Sequence, residues 1–270
     1  MFEEVKRKKR ILDNNRPLDK RTVKNIREKL YLDLTYNSNA IEGNTLTLNE
    51  TKAVLKDGIT INGKSMREHL EVVNHQEAIK YLEEVIENNI KISERVIKEM
   101  HYLILKTIDT DNAGVYRNRN VTIQGTDYIP PEHYIVPQKM TDFIDWYQKE
   151  SAKLNSVERA AKLHNELVKI HPFIDGNGRT ARLLLNLELM SNGYPIVIIE
   201  KEDRPEYYDS VEVYSTRGEI EEFTELVTKK LNKSLDLYLD VLELNNWKIS
   251  IWQVSKNITI NGGKCNSFMQ

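Results

Sequence analysis

Apolar residues recur at three- and four-residue spacing along most of the chain. Leu70 and Val73, then Leu82 and Val85, mark one face of KSMREHLEVVNHQEAIKYLEEVIENN, and Val96, Ile97, Met100, Leu103 and Ile104 repeat the pattern after Ser93. Both stretches predict amphipathic helices. A further stripe of Val157, Ala160, Ala161, Leu167 and Val168 begins after Ser156, read as an N-cap, and runs to Ile170. Pro172 predicts its end, because the ring lacks a donor and disfavours the preceding helical turn. In RTARLLLNLELM the apolar positions Leu183, Leu184, Leu185, Leu187, Leu189 and Met190 spread too widely for a half-exposed helix, so this segment reads as a buried core helix.

One region departs from helical spacing. In GVYRNRNVTIQGTDYIPPEHYIVP the pieces VTI and YIV are rich in β-branched and aromatic residues and are punctuated by Gly125, Asp127, Pro130 and Pro131. They predict a short β-hairpin flap, whose segment Tyr128 to Val136 could pair its backbone with a target strand. Prolines offer no donor, so that pairing would fall on Tyr134, Ile135 and Val136. The expected fold is mainly α, one helical unit with this flap. Its organisation reads as an N-terminal helical region over 1–60, a core over 61–232, and a C-terminal helix with a loosely patterned tail over 233–270.

Composition narrows the function. The 270 residues are 40% hydrophobic and 30% charged, enough for a globular core. Lys and Arg number 39 against 41 Asp and Glu, so no global field recruits nucleic acid or acidic lipid, and any basic function must be local. The first thirty residues hold eleven Lys or Arg against five acids, a pattern read as a solvated helix face. The single cysteine, Cys265, allows no disulfide within the chain and no cysteine metal cluster. No run approaches the ~18 apolar residues that span a bilayer. These features predict a cytoplasmic protein that engages no membrane.

The join HPFIDGNGRTAR, His171 to Arg182, breaks local rules. Two arginines are placed at the start of a helix, where the macrodipole favours acids, which points to a missing anion. Gly176 and Gly178 let the backbone approach a ligand, and the helix start offers unsatisfied N–H groups. Arg179 and Arg182, three apart, can each hold phosphate oxygens in a fork, and Asn177 can donate its amide to another. Asp175 is a hard ligand of the type Mg²⁺ accepts alongside waters and phosphates. His171 is the nearby side chain suited to take a proton near neutrality. No P-loop lysine and no Gly-x-Gly-x-x-Gly run is present, so neither common nucleotide motif applies. His164 lies on an apolar stripe and reads as a core histidine.

The join resembles the Fic signature HPFx(D/E)GNGRxxR at every defined position, and the resemblance extends over most of residues 30 to 232. It implies an all-helical domain that transfers AMP from ATP, with Mg²⁺ or Mn²⁺, to a Ser, Thr or Tyr hydroxyl of a target protein. By that resemblance His171 is the base, Asp175 holds the metal, Gly176, Asn177, Gly178, Arg179 and Arg182 hold phosphates, and Phe173 anchors the loop. A branch that phosphorylates its target has lysine at the position of Gly178, so this glycine favours AMP transfer. Upstream, SNAIEGN fits (S/T)xxxE(G/N) through Ser38, Glu42 and Gly43, a pattern that in this family marks an inhibitory helix whose glutamate pairs with the second arginine. Tyr207 and Tyr208 fall where the family forms its adenine pocket. AMP removal by the same site, with Glu42 positioning water, is a second version of the chemistry. An interaction module with a merely structural nucleotide site competes, but the intact His171 and Asp175 disfavour it; the near-neutral charge disfavours a nucleic-acid binder. Whether the chain forms a homo-oligomer the sequence leaves open.

Overall fold

The computed structural model describes residues 2–123 and 125–244. Among these are ten α-helices: α1 (Glu3–Asn14), α2 (Lys20–Ile41), α3 (Leu48–Asp57), α4 (Met66–Glu87), α5 (Glu94–Leu105), α6 (Val136–Lys149), α7 (Ser156–Ile170), α8 (Asn177–Ser191), α9 (Arg204–Arg217) and α10 (Glu221–Val241). Their starts are written in the sequence. Thr47 with Glu50 and Ser65 with Glu68 form reciprocal capping boxes at α3 and α4. At α7 the cap is Asn155, paired with Glu158, so Ser156 is the first helical residue rather than the cap.

The helix that reads as apolar all round is the centre of the molecule. Along α8, Leu183, Leu184, Leu185, Leu187 and Leu189 are buried, and the helix packs against α7, α5, α4 and α2. One continuous cluster runs from Val5 and Leu12 of α1 through Leu30 and Leu34 of α2 to Leu231 and Leu235 of α10. The N-terminal helices therefore share the main core. A smaller cluster of Leu46, Val54 and Val72 fastens α3 to α4. No break occurs in α10 at 232, where a boundary was expected; the tail from 245 onward lies outside the described residues.

The expected β-hairpin is not formed: no strand is present among the described residues. Tyr134 and Ile135 lie in a 3₁₀ turn, His133–Ile135, and Val136 begins α6. The Ile135 N–H donates to Glu132 O at 2.9 Å, and the His133 N–H to Asn120 Oδ1 at 2.9 Å. Pro130 and Pro131 withhold ladder donors, while Pro137 sits in the first turn of α6, where a missing N–H costs nothing. Turn chemistry thus overrides β-propensity, and Tyr134 to Val136 are not held as a strand.

Burial depth sets the expected cost of core truncation. Leu184→Ala, at a wholly buried position of α8, should lower the unfolding free energy by about 2–5 kcal/mol. Val54→Ala, in the small cluster, removes fewer methyl groups and should cost about 1–2 kcal/mol. Urea unfolding of both variants checks the ranking; equal losses would contradict a core centred on α8.

Candidate active site

The turn between α7 and α8 is built from bonds that close on themselves. His171 ends α7 in the left-handed region, φ 50° and ψ 58°, and its N–H still donates to Leu167 O at 3.0 Å. The buried Arg117 fixes this residue from outside. Its Nε donates to His171 O at 2.8 Å, its Nη1 to Arg119 O at 3.1 Å and its Nη2 to Pro131 O. Phe173 is fully buried, as expected for the anchor, with the His101 ring stacked on it at 3.6 Å. His101 Nδ1 accepts from the Gly114 N–H at 2.9 Å, so Nε2 carries the hydrogen and donates to Asp175 O at 2.8 Å. A side chain at Gly176, where φ is 77°, would meet that ring at 3.3 Å. Asn177 turns its side chain onto the loop itself. Nδ2 donates to Phe173 O at 2.9 Å, and Oδ1 accepts from the Phe173 N–H at 3.0 Å.

Arg179 lies in the first turn of α8, whereas Arg182 sits one turn deeper, not in the first turn as its spacing had suggested. Arg182 is buried and each of its nitrogens has a partner. Nε donates to Ser38 Oγ at 3.0 Å, Nη1 to Tyr207 OH at 3.1 Å, and Nη2 to Ser38 O at 2.7 Å and Glu42 Oε1 at 2.8 Å. Glu42 follows the last residue of α2, and Gly43, at φ 99°, turns the chain away behind it. Gly178 leaves the room that this carboxylate fills, since a Cβ there would lie 2.3 Å from Glu42 Oε1. Tyr207 is also corrected. Its ring is buried and its OH, held by Arg182, reaches His164 Nε2 at 2.9 Å, so it presents no face to an adenine. Tyr208 is 40% exposed, with the Arg204 guanidinium over its ring. His164 is a wholly buried core residue.

Asp175 stands at the lip of the loop. Its Oδ1 accepts from the Gly176 N–H at 2.6 Å and Arg179 Nη2 at 3.2 Å; its Oδ2 accepts from Arg67 Nη2 at 2.7 Å. Burial pushes this carboxyl up, but Arg179, the Gly176 N–H and Arg67 outweigh it and hold the group below its ordinary range. Glu71 joins the same cluster, accepting from Arg67 Nε at 3.1 Å and from Asn44 Nδ2 at 2.9 Å, with Arg179 Nη1 at 3.6 Å. Among the described residues no group of three His, Cys, Asp or Glu side chains is arranged around a metal position. Asp175 would be a single protein ligand, which suits a cation that keeps waters and phosphate oxygens in its shell.

The structure thus brings His171, Asp175, Gly176, Gly178, Arg179, Arg182, Ser38 and Glu42 to one place. Sequence reasoning missed His101, Arg117, Arg67 and Glu71. For His101 a signal existed, a polar side chain between Met100 and Ile104 on an apolar face. Arg67 and Glu71 are an ordinary i, i+4 pair of charges, and Arg117 is a lone arginine in a loop, so nothing in their spacing marks them.

A model of the Fic/DOC family matches residues 91–189, and the chain belongs to that family. It is 38% identical over 227 residues to the protein adenylyltransferase fic-1 of Caenorhabditis briggsae, covering 83% of this chain and 44% of that protein. The structure of a segment of Fic-1 from C. elegans superposes with a TM-score of 0.81 at 35% identity, covering 90% of this chain and 73% of that one. A Fic domain containing signaling protein from Bacteroides thetaiotaomicron gives a TM-score of 0.82 at 29% identity, over 89% and 97%. The chain spans less than half the length of the curated C. briggsae relative. Among the described residues no helix is long and apolar enough to cross a membrane.

Two expectations follow from the site's packing. Gly178→Ala places a methyl where the Glu42 carboxylate lies, so the ion pair must part, and the variant should lose about 1–3 kcal/mol despite alanine's better helix propensity. Because Glu42→Ala breaks the same pair, the double variant should be non-additive by at least about 0.5 kcal/mol in thermal or urea unfolding; strict additivity would contradict the shared position. The second concerns acid. Burial lowers His75 and His164 to about 3 and His101 to about 4, from 6.5. The unfolded chain therefore binds more protons as pH falls from 6.5 toward those values. This contribution is intact above pH 6.5 and is progressively lost below it. Unfolding free energy should drop by on the order of 1 kcal/mol per buried histidine between about pH 7.5 and about pH 5.5; a flat profile would show that these imidazoles are not held neutral.

Proposed function

We propose that this chain is a protein adenylyltransferase held in check by its own Glu42. It moves AMP from ATP to a Ser, Thr or Tyr hydroxyl of a target protein. The observation that carries the reading is the state of His171. Its Nδ1 donates to Val168 O at 3.3 Å, which leaves Nε2 as the acceptor beside the loop. Burial lowers its pKa to about 4, so the ring is neutral at pH 7 and ready to receive a proton. Phosphates of a bound nucleotide would raise that value toward the working pH.

In the proposed reaction Nε2 takes the hydroxyl proton as the oxygen attacks the α-phosphorus, and the bond to the departing pyrophosphate breaks. The N–H groups at the start of α8, with Arg179 and Arg182, hold the phosphates. Mg²⁺ or Mn²⁺, held by Asp175, would supply charge neutralisation on the leaving pyrophosphate. Tyr208 is the aromatic face left for the adenine. Target contact falls on the exposed side chains of Ile129 and Tyr134, 79% and 68% exposed, rather than on strand pairing. The lone Cys265 fits a reducing compartment such as the cytoplasm.

Glu42 fills the fork of Arg182 that a terminal phosphate needs, so ATP would bind with its α-phosphate misaligned. A second version of the reaction, water-driven removal of AMP, finds support in the same carboxylate, whose charge acts on the His171 ring. The experiment uses the full chain with labelled ATP, metal and a lysate. Glu42→Gly should raise transfer, self-modification included, by about tenfold or more, and abolish any AMP removal. Adding His171→Ala should cut the labelling by about 10²–10⁴-fold. Undiminished labelling by the double variant would sink the base assignment; a Glu42→Gly protein no faster than wild type would sink the inhibition alone.

A further inference from the structure

The two oxygens of Asp175 have different neighbours. Oδ1 turns inward, to the Gly176 N–H and Arg179. Oδ2 has Arg67 as its partner at 2.7 Å, on a side chain that is 42% exposed. The oxygen not taken up by the loop and the start of α8 is therefore the one that an arginine of α4 covers. Arg67 is the second residue of α4, where the helix dipole disfavours a positive charge. Its side chain is 57% exposed, and Glu71, one turn on, holds its Nε at 3.1 Å. Asp175 and Glu71 face Arg67 and Arg179 in a ring of four charges that sums to zero.

We propose that Arg67 is a positioning residue that stands in for the divalent cation on Asp175 in the resting site, so that metal and Arg67 compete for Oδ2. This rests on the reading of Asp175 as the metal-holding residue. With Arg67 in place the ring is neutral and exerts little pull on an isolated cation, and an incoming ion meets a guanidinium at the oxygen it needs. When the cation arrives with the negative phosphates of a nucleotide, the balance changes, and Arg67 can leave toward solvent, where most of its side chain already lies. Metal then loads with nucleotide rather than ahead of it, and Arg67 sets how tightly.

Mn²⁺ binding, followed by the electron paramagnetic resonance signal of the free ion, tests this without reference to turnover. The full chain is titrated in the presence of a non-hydrolysable ATP analogue, as wild type, Arg67→Gln, Arg67→Lys and Asp175→Asn, each first checked for a wild-type melting curve. Removing the competing charge in Arg67→Gln should tighten Mn²⁺ about three- to tenfold. Arg67→Lys keeps the charge and should stay within about twofold of wild type, and a Gln variant that fails to fold leaves Arg67→Met as the neutral substitute. Mn²⁺ affinity unchanged or weakened on loss of the charge, while Asp175→Asn abolishes binding, overturns the competition but leaves the metal assignment standing. Binding indifferent to Asp175→Asn overturns both.

Discussion

Arg182 carries its charge into the interior with its side chain 3% exposed, where an unpaired guanidinium would cost several kcal/mol. Three helices answer it. The end of α2 supplies Ser38 and Glu42, α9 supplies Tyr207, and α7 supports Tyr207 through His164. The place of α2 against α8 is therefore fixed by directional bonds as well as by apolar contact, and the turn at Glu42 cannot drift without leaving a buried cation short of a partner. An interaction that looks regulatory is at the same time part of what makes the helices pack in this arrangement.

The loop itself is set before any ligand arrives. Asn177 ties both polar groups of Phe173, His101 bridges Gly114 to Asp175, and Arg117 holds His171 from the far side. Each contact uses a side chain to occupy backbone groups that a tight turn would otherwise leave unpaired. These contacts hold the turn without drawing on the Nε2 of His171, and they hold the start of α8 and Asp175 beside it. On the proposed reading, rigidity of this kind would keep the reacting groups in place at no reorganisation cost.

Much of this was legible in the chain. Helical spacing located α4, α5, α7 and α8 because an apolar stripe is read directly from residue order. The signature and the upstream SNAIEGN marked residues that the fold then gathers, with Glu42 on Arg182 across 140 positions of sequence. Failures share a cause. Tyr207 reads as an adenine-facing ring, yet it is buried, because an aromatic side chain near a site does not reveal in the sequence which way it faces. Tyr134 to Val136 were read as strand because β-branched and aromatic composition is a weaker constraint than three nearby prolines. Arg67, Glu71, Arg117 and His101 matter through partners distant in sequence, information that no local pattern carries.

The space above Gly178 has a thermodynamic consequence. The Glu42 carboxylate occupies it, with Arg182 alongside. On the proposed reading, a terminal phosphate and the carboxylate are alternative occupants, so the docking equilibrium of α2's last turn and the affinity for nucleotide are linked functions of one another. Whatever strengthens that turn, whether a better-formed α2 or a partner that clasps it, would weaken nucleotide binding by up to the same factor; whatever frays it would do the reverse. Control of the enzyme would then need no site of its own, because the local folding of a single helical turn already serves as the effector.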